Sequence, residues 1–194
     1  MFLLILTNLF PASAQQIGFG MYADSGINLS ALVPDVLDFG DRIGGEGPVS
    51  ILLSDNETVV LEIEGIAYLD VTVNITPPVS EYLLLQGNSN FLGDPERRLP
   101  VTIKMAYYNR GQENIDIQTA KQQAIEVTGH NATFQIRRRP GGPPGPPPTP
   151  PHSGYTPPVA KAYLFIYGDL TVNNVNSGSY TGIVDVHVEY TTYE

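Results

Sequence analysis

The chain predicts an all-β fold, an antiparallel β-sandwich with a Pro-rich loop insertion, and three observations lead there. Short strand-like runs recur along the 194 residues, whereas helix-period patterns almost never do. Clusters of Gly, Pro and Asn separate those runs, as the turns of a sandwich or barrel require. The last segment alternates strictly: Val184, Val186, Val188 and Tyr190 fall on one face, Asp185, His187 and Glu189 on the other. A period of two marks a half-buried strand, apolar side on a core and charged side in water.

Taken in order, the chain opens Met1-Phe-Leu-Leu-Ile-Leu-Thr-Asn-Leu-Phe-Pro-Ala-Ser-Ala14. An apolar run ending in Ala12-x-Ala14 fits a secretory signal peptide over residues 1–14, although no Lys or Arg precedes the run. The run is shorter than the roughly 20 apolar residues a bilayer-spanning helix needs. A secreted, extracellular product starting at Gln15, without membrane insertion, is therefore expected. Residues 15–27 read as an N-terminal extension and 28–194 as the sandwich.

Strand-like runs follow at Val49–Leu53, Glu57–Glu64, Leu69–Thr76, Glu81–Leu85, Pro100–Tyr108, Ala132–Arg138, Tyr163–Val172 and Gly182–Thr192. Turn chemistry sits between them at Gly44-Gly45-Glu46-Gly47-Pro48, Ser54-Asp55-Asn56, Pro77-Pro78 and Gly87-Asn88-Ser89-Asn90. Ile117 to Ile125 is the one segment with a short-helix pattern. The insert over residues 140–158 is so rich in proline that it is excluded from a central strand. It reads as a polyproline-II-like excursion, either a tolerated surface loop or a docking arm.

About 180 residues follow the leader, enough for one good core. There is no cysteine, so the core, ligands or neighbouring subunits must hold an exported domain together. The formal charge of −10 argues against nucleic acid and anionic lipid as partners.

Three signatures carry a family resemblance: Leu37-Asp-Phe-Gly40; Leu61-Glu-Ile-Glu-Gly-Ile-Ala-Tyr-Leu-Asp-Val-Thr-Val73, read as strand, Gly-containing bend and strand; and Tyr167-Gly-Asp-Leu-Thr-Val172 followed by Ser177-Gly-Ser-Tyr-Thr-Gly-Ile-Val-Asp-Val-His-Val-Glu-Tyr190. Together, over roughly residues 28–194 apart from the insert, they resemble secreted bacterial Ig-like domains of unknown function. Those domains are related in layout to spore coat protein U and chaperone–usher pilins. The resemblance implies an Ig-like, pilin-like sandwich that polymerises by donor-strand complementation into an extracellular, cell-surface pilus-like filament. It makes identical subunits the partners, with a periplasmic chaperone and outer-membrane usher as candidate assembly factors. Ile17, Phe19, Met21 and Ala23 alternate with Gly18, Gly20, Tyr22 and Asp24, and are the candidate donor face. Val184, Val186, Val188 and Tyr190 of the final strand are the candidate acceptor groove. Tyr193 is the penultimate aromatic that pilins carry, but in the opposite phase to the valines. Whether residues 16–24 pair within their own chain or across to a neighbour stays open at this point.

Catalytic and metal-binding patterns are absent from the sequence: no nucleophile elbow, P-loop or dinucleotide fingerprint appears, so no enzyme and no cofactor is expected. His130, His152 and His187 are scattered, with His187 expected on the solvent face. Glu62 and Glu64, like Asp185 and Glu189, read as a solvated strand face rather than a catalytic pair. Asp35, Asp38, Asp41 and Glu46 lack the oxygen spacing of a calcium loop. Asn28, Asn56, Asn74 and Asn131 head N-x-Ser/Thr matches, which in a bacterial chain are usually accidental. Two function classes remain: a filament subunit, and a monomeric secreted adhesin or matrix-binding module of Ig-like fold.

Overall fold

The computed structural model describes residues 11–12, 15–32, 34–110, 115–138 and 158–191. Tyr193, His152, most of residues 1–14, expected as a signal peptide, and almost all of the Pro-rich insert lie outside the described residues. The described strands are β1 (Pro11–Ala12), β2 (Gln15–Ala23), β3 (Asn28–Ala31), β4 (Leu37–Asp38), β5 (Arg42–Ile43), β6 (Gly47–Ile51), β7 (Val59–Ile66) and β8 (Asp70–Thr76). They continue with β9 (Tyr82–Leu85), β10 (Arg98–Tyr108), the helix α1 (Ile117–Gln122), β11 (Ile125–Val127), β12 (Asn131–Gln135), β13 (Val159–Val172) and β14 (Tyr180–Tyr190). The expected all-β sandwich is what forms.

One layer runs β12, β8, β14, with β9 taking over from β8 along the same edge of β14. The other runs β3, β7, β13, β10, with β6 continuing the edge of β13 that β7 begins. β10 joins them: Arg98–Pro100 pair with β9 in the first layer, and Val101–Tyr108 with β13 in the second. The sheet is thus continuous and curls over on itself. Val71, Val73 and Ile75 of β8 and the valines of β14 meet Leu61, Ile63, Val101, Ile103 and Met105 in the shared core. Tyr107 of β10 stacks on Phe134 of β12 across the layers, ring centroids 4.1 Å apart.

β13 is the strand most enclosed. Every residue from Tyr163 to Tyr167 is buried, those facing the core and those facing out alike. Strands covered on both faces read as continuous apolar runs, which is how Tyr163-Leu-Phe-Ile-Tyr167 arises. On the outer side lies α1, capped by Asp116, whose carboxylate accepts from Thr119 N. Its Lys121 is 5% exposed and donates to Asp55 O, strapping the loop before β7. Burial pulls the Lys121 ammonium down from its ordinary pKa, against the pull of Asp55 and Glu57. A hollow of about 500 Å³ beside it is lined by Leu52, Lys104, Gln118, Glu126 and Tyr167.

Three details depart from the sequence reading. Gly65 does not form the bend after β7; the chain turns at Ala67–Leu69, where Tyr68 takes φ 69°. Gly65 instead makes room, since a Cβ there would come 2.7 Å from Tyr190 Oη and 2.6 Å from Ile136 Cδ1. The segment 117–125 splits, with the helix ending at Gln122 and Ile125 starting β11. And the sandwich is not wholly antiparallel, because β2 runs parallel to β14.

The flanks of the Pro-rich insert are pinned together. Arg138 N donates to Asn109 O and Ala67 N to Pro158 O, both at 2.8 Å, at the end of the sandwich where Tyr190 meets Val71. Among the described residues no helix is long and apolar enough to cross a membrane.

Candidate donor-strand slot

The nine residues of β2 pair in register with β14, Gln15 beside Tyr180 through Ala23 beside Val188. The other edge of β2 meets β4 at only two positions, Gln16 with Asp38 and Ile17 with Leu37. Two further bonds reinforce that end: Phe39 N donates to Gln15 O at 3.0 Å, and Gln16 Nε2 to Asp38 Oδ2 at 3.0 Å. β2 therefore occupies a slot between β14 and the two-residue β4. From Gly18 onward its outer edge has no strand partner among the described residues. β3 explains the opening, because it pairs with β7 in the other layer and only β4 returns to β2.

Burial follows the same gradient. Ile17 is fully buried with Leu37 and Phe39, and Phe19 is partly buried against the core. Met21 is 40% exposed, Tyr22 57%, and Ala23 is exposed as well. Of the four residues on the donor face, one is thus enclosed, one half-enclosed and two open. Enclosing Ile17 contributes about 1.5–3 kcal/mol. The glycines differ too: a Cβ on Gly20 would lie 2.2 Å from Asp185 Oδ1, whereas one on Gly18 would meet nothing within 4 Å. Gly18 borders an apolar groove of about 760 Å³ walled by Pro77, Pro78, Val79, Tyr82 and Ile183.

Along β14, Val184, Val186 and Val188 are completely buried, while Ile183 and Asp185 face out. Tyr190 closes the row with hydrogen bonds rather than burial. Its hydroxyl accepts from Ile66 N at 3.0 Å and donates to Gly26 O at 3.1 Å, tying β7 to the turn that ends β2. At the other end Tyr180 is fully buried and its hydroxyl donates to Asn176 O at 2.7 Å. Burial pushes that phenol up to about 12, with Asp94 adding to the rise and Arg97 opposing it. His187 lies on the outer face, 3.7 Å from Glu189. Glu62 and Glu64 also sit on an outer face, both bridged by Lys161 Nζ at 2.8 and 3.6 Å.

Sequence reasoning missed two parts of the slot. The Leu37-x-Phe39 flank is too short to show periodicity, and its signal was only the Leu-x-Phe-Gly pattern. Gln15 is buried although it is polar, and nothing in its neighbours marks it. Among the described residues no group of three or more His, Asp or Glu converges to hold a metal ion. No protein-family model matches the chain, and a search of the curated proteins finds no relative.

Proposed function

We propose that the chain is the structural, non-catalytic subunit of an extracellular pilus-like filament. The leader is cut before Gln15, and β2 leaves its own slot to fill that of the next subunit. The observation that supports this reading is the placement of β2 between β14 and β4. Withdrawing it would leave a gap flanked by strands at the Gln16–Ile17 end and bare the edge of β14 beyond it. The pairing within the chain is parallel, the weaker geometry per residue, and half of the apolar face stays open. A neighbour's strand entering antiparallel would gain the stronger ladder on β14 and bring Met21 and Ala23 to the β4 end, where Gln15 and Ile17 are enclosed now. Such an interface is heterologous and does not close on itself, so it propagates as a filament.

The test is electron microscopy of the protein released from its own cells, together with a chain lacking residues 15–23. Filaments from the whole chain are expected; the shortened chain should form none, and a synthetic 15–24 peptide should raise its thermal midpoint by filling the slot without restoring filaments. Filaments from the shortened chain would sink the proposal.

One observation favours the second reading, a monomeric binding module. The ladder of β2 to β14 is unbroken over nine residues within one chain. A strictly monomeric protein from native cells, with residues 15–23 resistant to protease, would establish that reading in place of the first.

A further inference from the structure

Gln15 is the residue whose buried side-chain atoms stand unpaired: among the described residues only its Oε1 and Nε2 are enclosed without a hydrogen-bond partner. The residue is fully buried at the start of β2, two positions before Ile17 and beside Tyr180. Burying a carboxamide without hydrogen-bond partners is unfavourable, and a native structure rarely carries one without a reason. An apolar residue would serve this position better if packing were all that mattered.

The reason becomes visible if the leader is removed after Ala14, so the inference rests on that part of the proposed function. Gln15 is then the first residue, and its new α-ammonium stands at the start of β2, between Tyr180 of β14 and Phe39, whose N donates to Gln15 O; both of those side chains are buried. A charge in such surroundings is strongly disfavoured unless paired. Glutamine at a chain start has a route out of both difficulties. We propose that the mature chain begins with pyroglutamate formed from Gln15.

The neutral α-amine attacks Cδ of the same residue's carboxamide. The new bond joins the backbone nitrogen to Cδ, the Cδ–Nε2 bond breaks, and Nε2 leaves as ammonia carrying the displaced proton. No oxidant or co-reactant is needed. The five-membered lactam is uncharged, and a single N–H and C=O replace the α-ammonium and the whole carboxamide. Removing a terminal charge in this way also leaves no free amine for an aminopeptidase to engage.

The experiment is the intact mass and terminal peptide of the protein taken fresh from its own cells. The expected species runs from Gln15 and is lighter than that sequence by one ammonia. It resists stepwise N-terminal degradation until treated with a pyroglutamyl peptidase. A Gln15 start at full mass would overturn the cyclisation while leaving the leader reading intact. A start at any other residue would overturn both. Lactam that accumulates only during storage would likewise refute the proposal. As a second readout, secreted Gln15→Ala, which keeps its free amine, should unfold at a lower temperature than the cyclised chain; an equal midpoint would count against the buried-terminus argument.

Discussion

β13 and β2 are both long strands facing the same core, and they are held in opposite ways. β13 has a neighbour on each edge, β7 and then β6 on one side and β10 on the other. It is also covered on both faces from Tyr163 to Tyr167. β2 has one full edge, two residues of a second, and an apolar face that is covered only as far as Phe19. The difference is one of local stability: a strand enclosed on four sides opens only with the whole fold, and a strand enclosed on little more than two can open by itself.

Amide hydrogen exchange tests that contrast most severely. β13 amides should exchange only with global unfolding, and β2 amides from Gly18 to Ala23 by local opening. A protection difference of about three powers of ten or more follows from the usual span between local and global opening. Equal protection would break the comparison. Next in size, Leu164→Ala in β13 should cost about 2–5 kcal/mol in chemical denaturation, because that site is sealed on all sides.

Alkali should act at two buried tyrosines, one at the start of β14 and one within β13. Tyr180 and Tyr167 are both pushed up to about 12, chiefly by burial. Since the folded-state values lie above the ordinary 10, their contribution is complete below pH 10 and is lost as pH rises through 12. Unfolding midpoints should fall across that window, and less steeply in Tyr180→Phe. Tyr190→Phe removes a hydroxyl that serves Ile66 N and Gly26 O, and should cost roughly 1–2 kcal/mol by the same denaturation measurement. The smallest effect is the most diagnostic. Met21→Ala in isolated chains should stay within about 0.5 kcal/mol, since the side chain is 40% exposed. In filaments the same change should lower the dissociation temperature clearly; an unchanged value would mean that Met21 stays outside the interface.

Much of this frame was legible in the sequence, for reasons that differ from strand to strand. β14 was read from its period of two, and β13 as the strand-like run Tyr163 to Val172 before the Gly-rich turn; that β13 is covered on both faces is the structure's addition. Turn residues placed β7, β8, β9 and β10 to within a few positions. What escaped was set by partners distant in the chain. The parallel direction of β2 depends on β14, more than 150 residues later, and no local pattern encodes it. β4 is two residues long and shows no period. Gly65 looked like a bend because glycine often makes one, yet here it yields space to Tyr190 and Ile136, whose approach only the folded chain reveals. Tyr68, with φ 69°, turns the corner instead.

The pinned flanks of the Pro-rich insert carry one more consequence. Arg138 and Pro158 are fastened near the Tyr190 end of β14, whereas Gln15 enters at the Tyr180 end, about 33 Å away for a strand of eleven residues. Length can therefore be gained or lost between those two anchors without touching the place where β2 begins. The two poles of the sandwich are thereby kept apart, with the anchors of the insert at one and the start of β2 at the other.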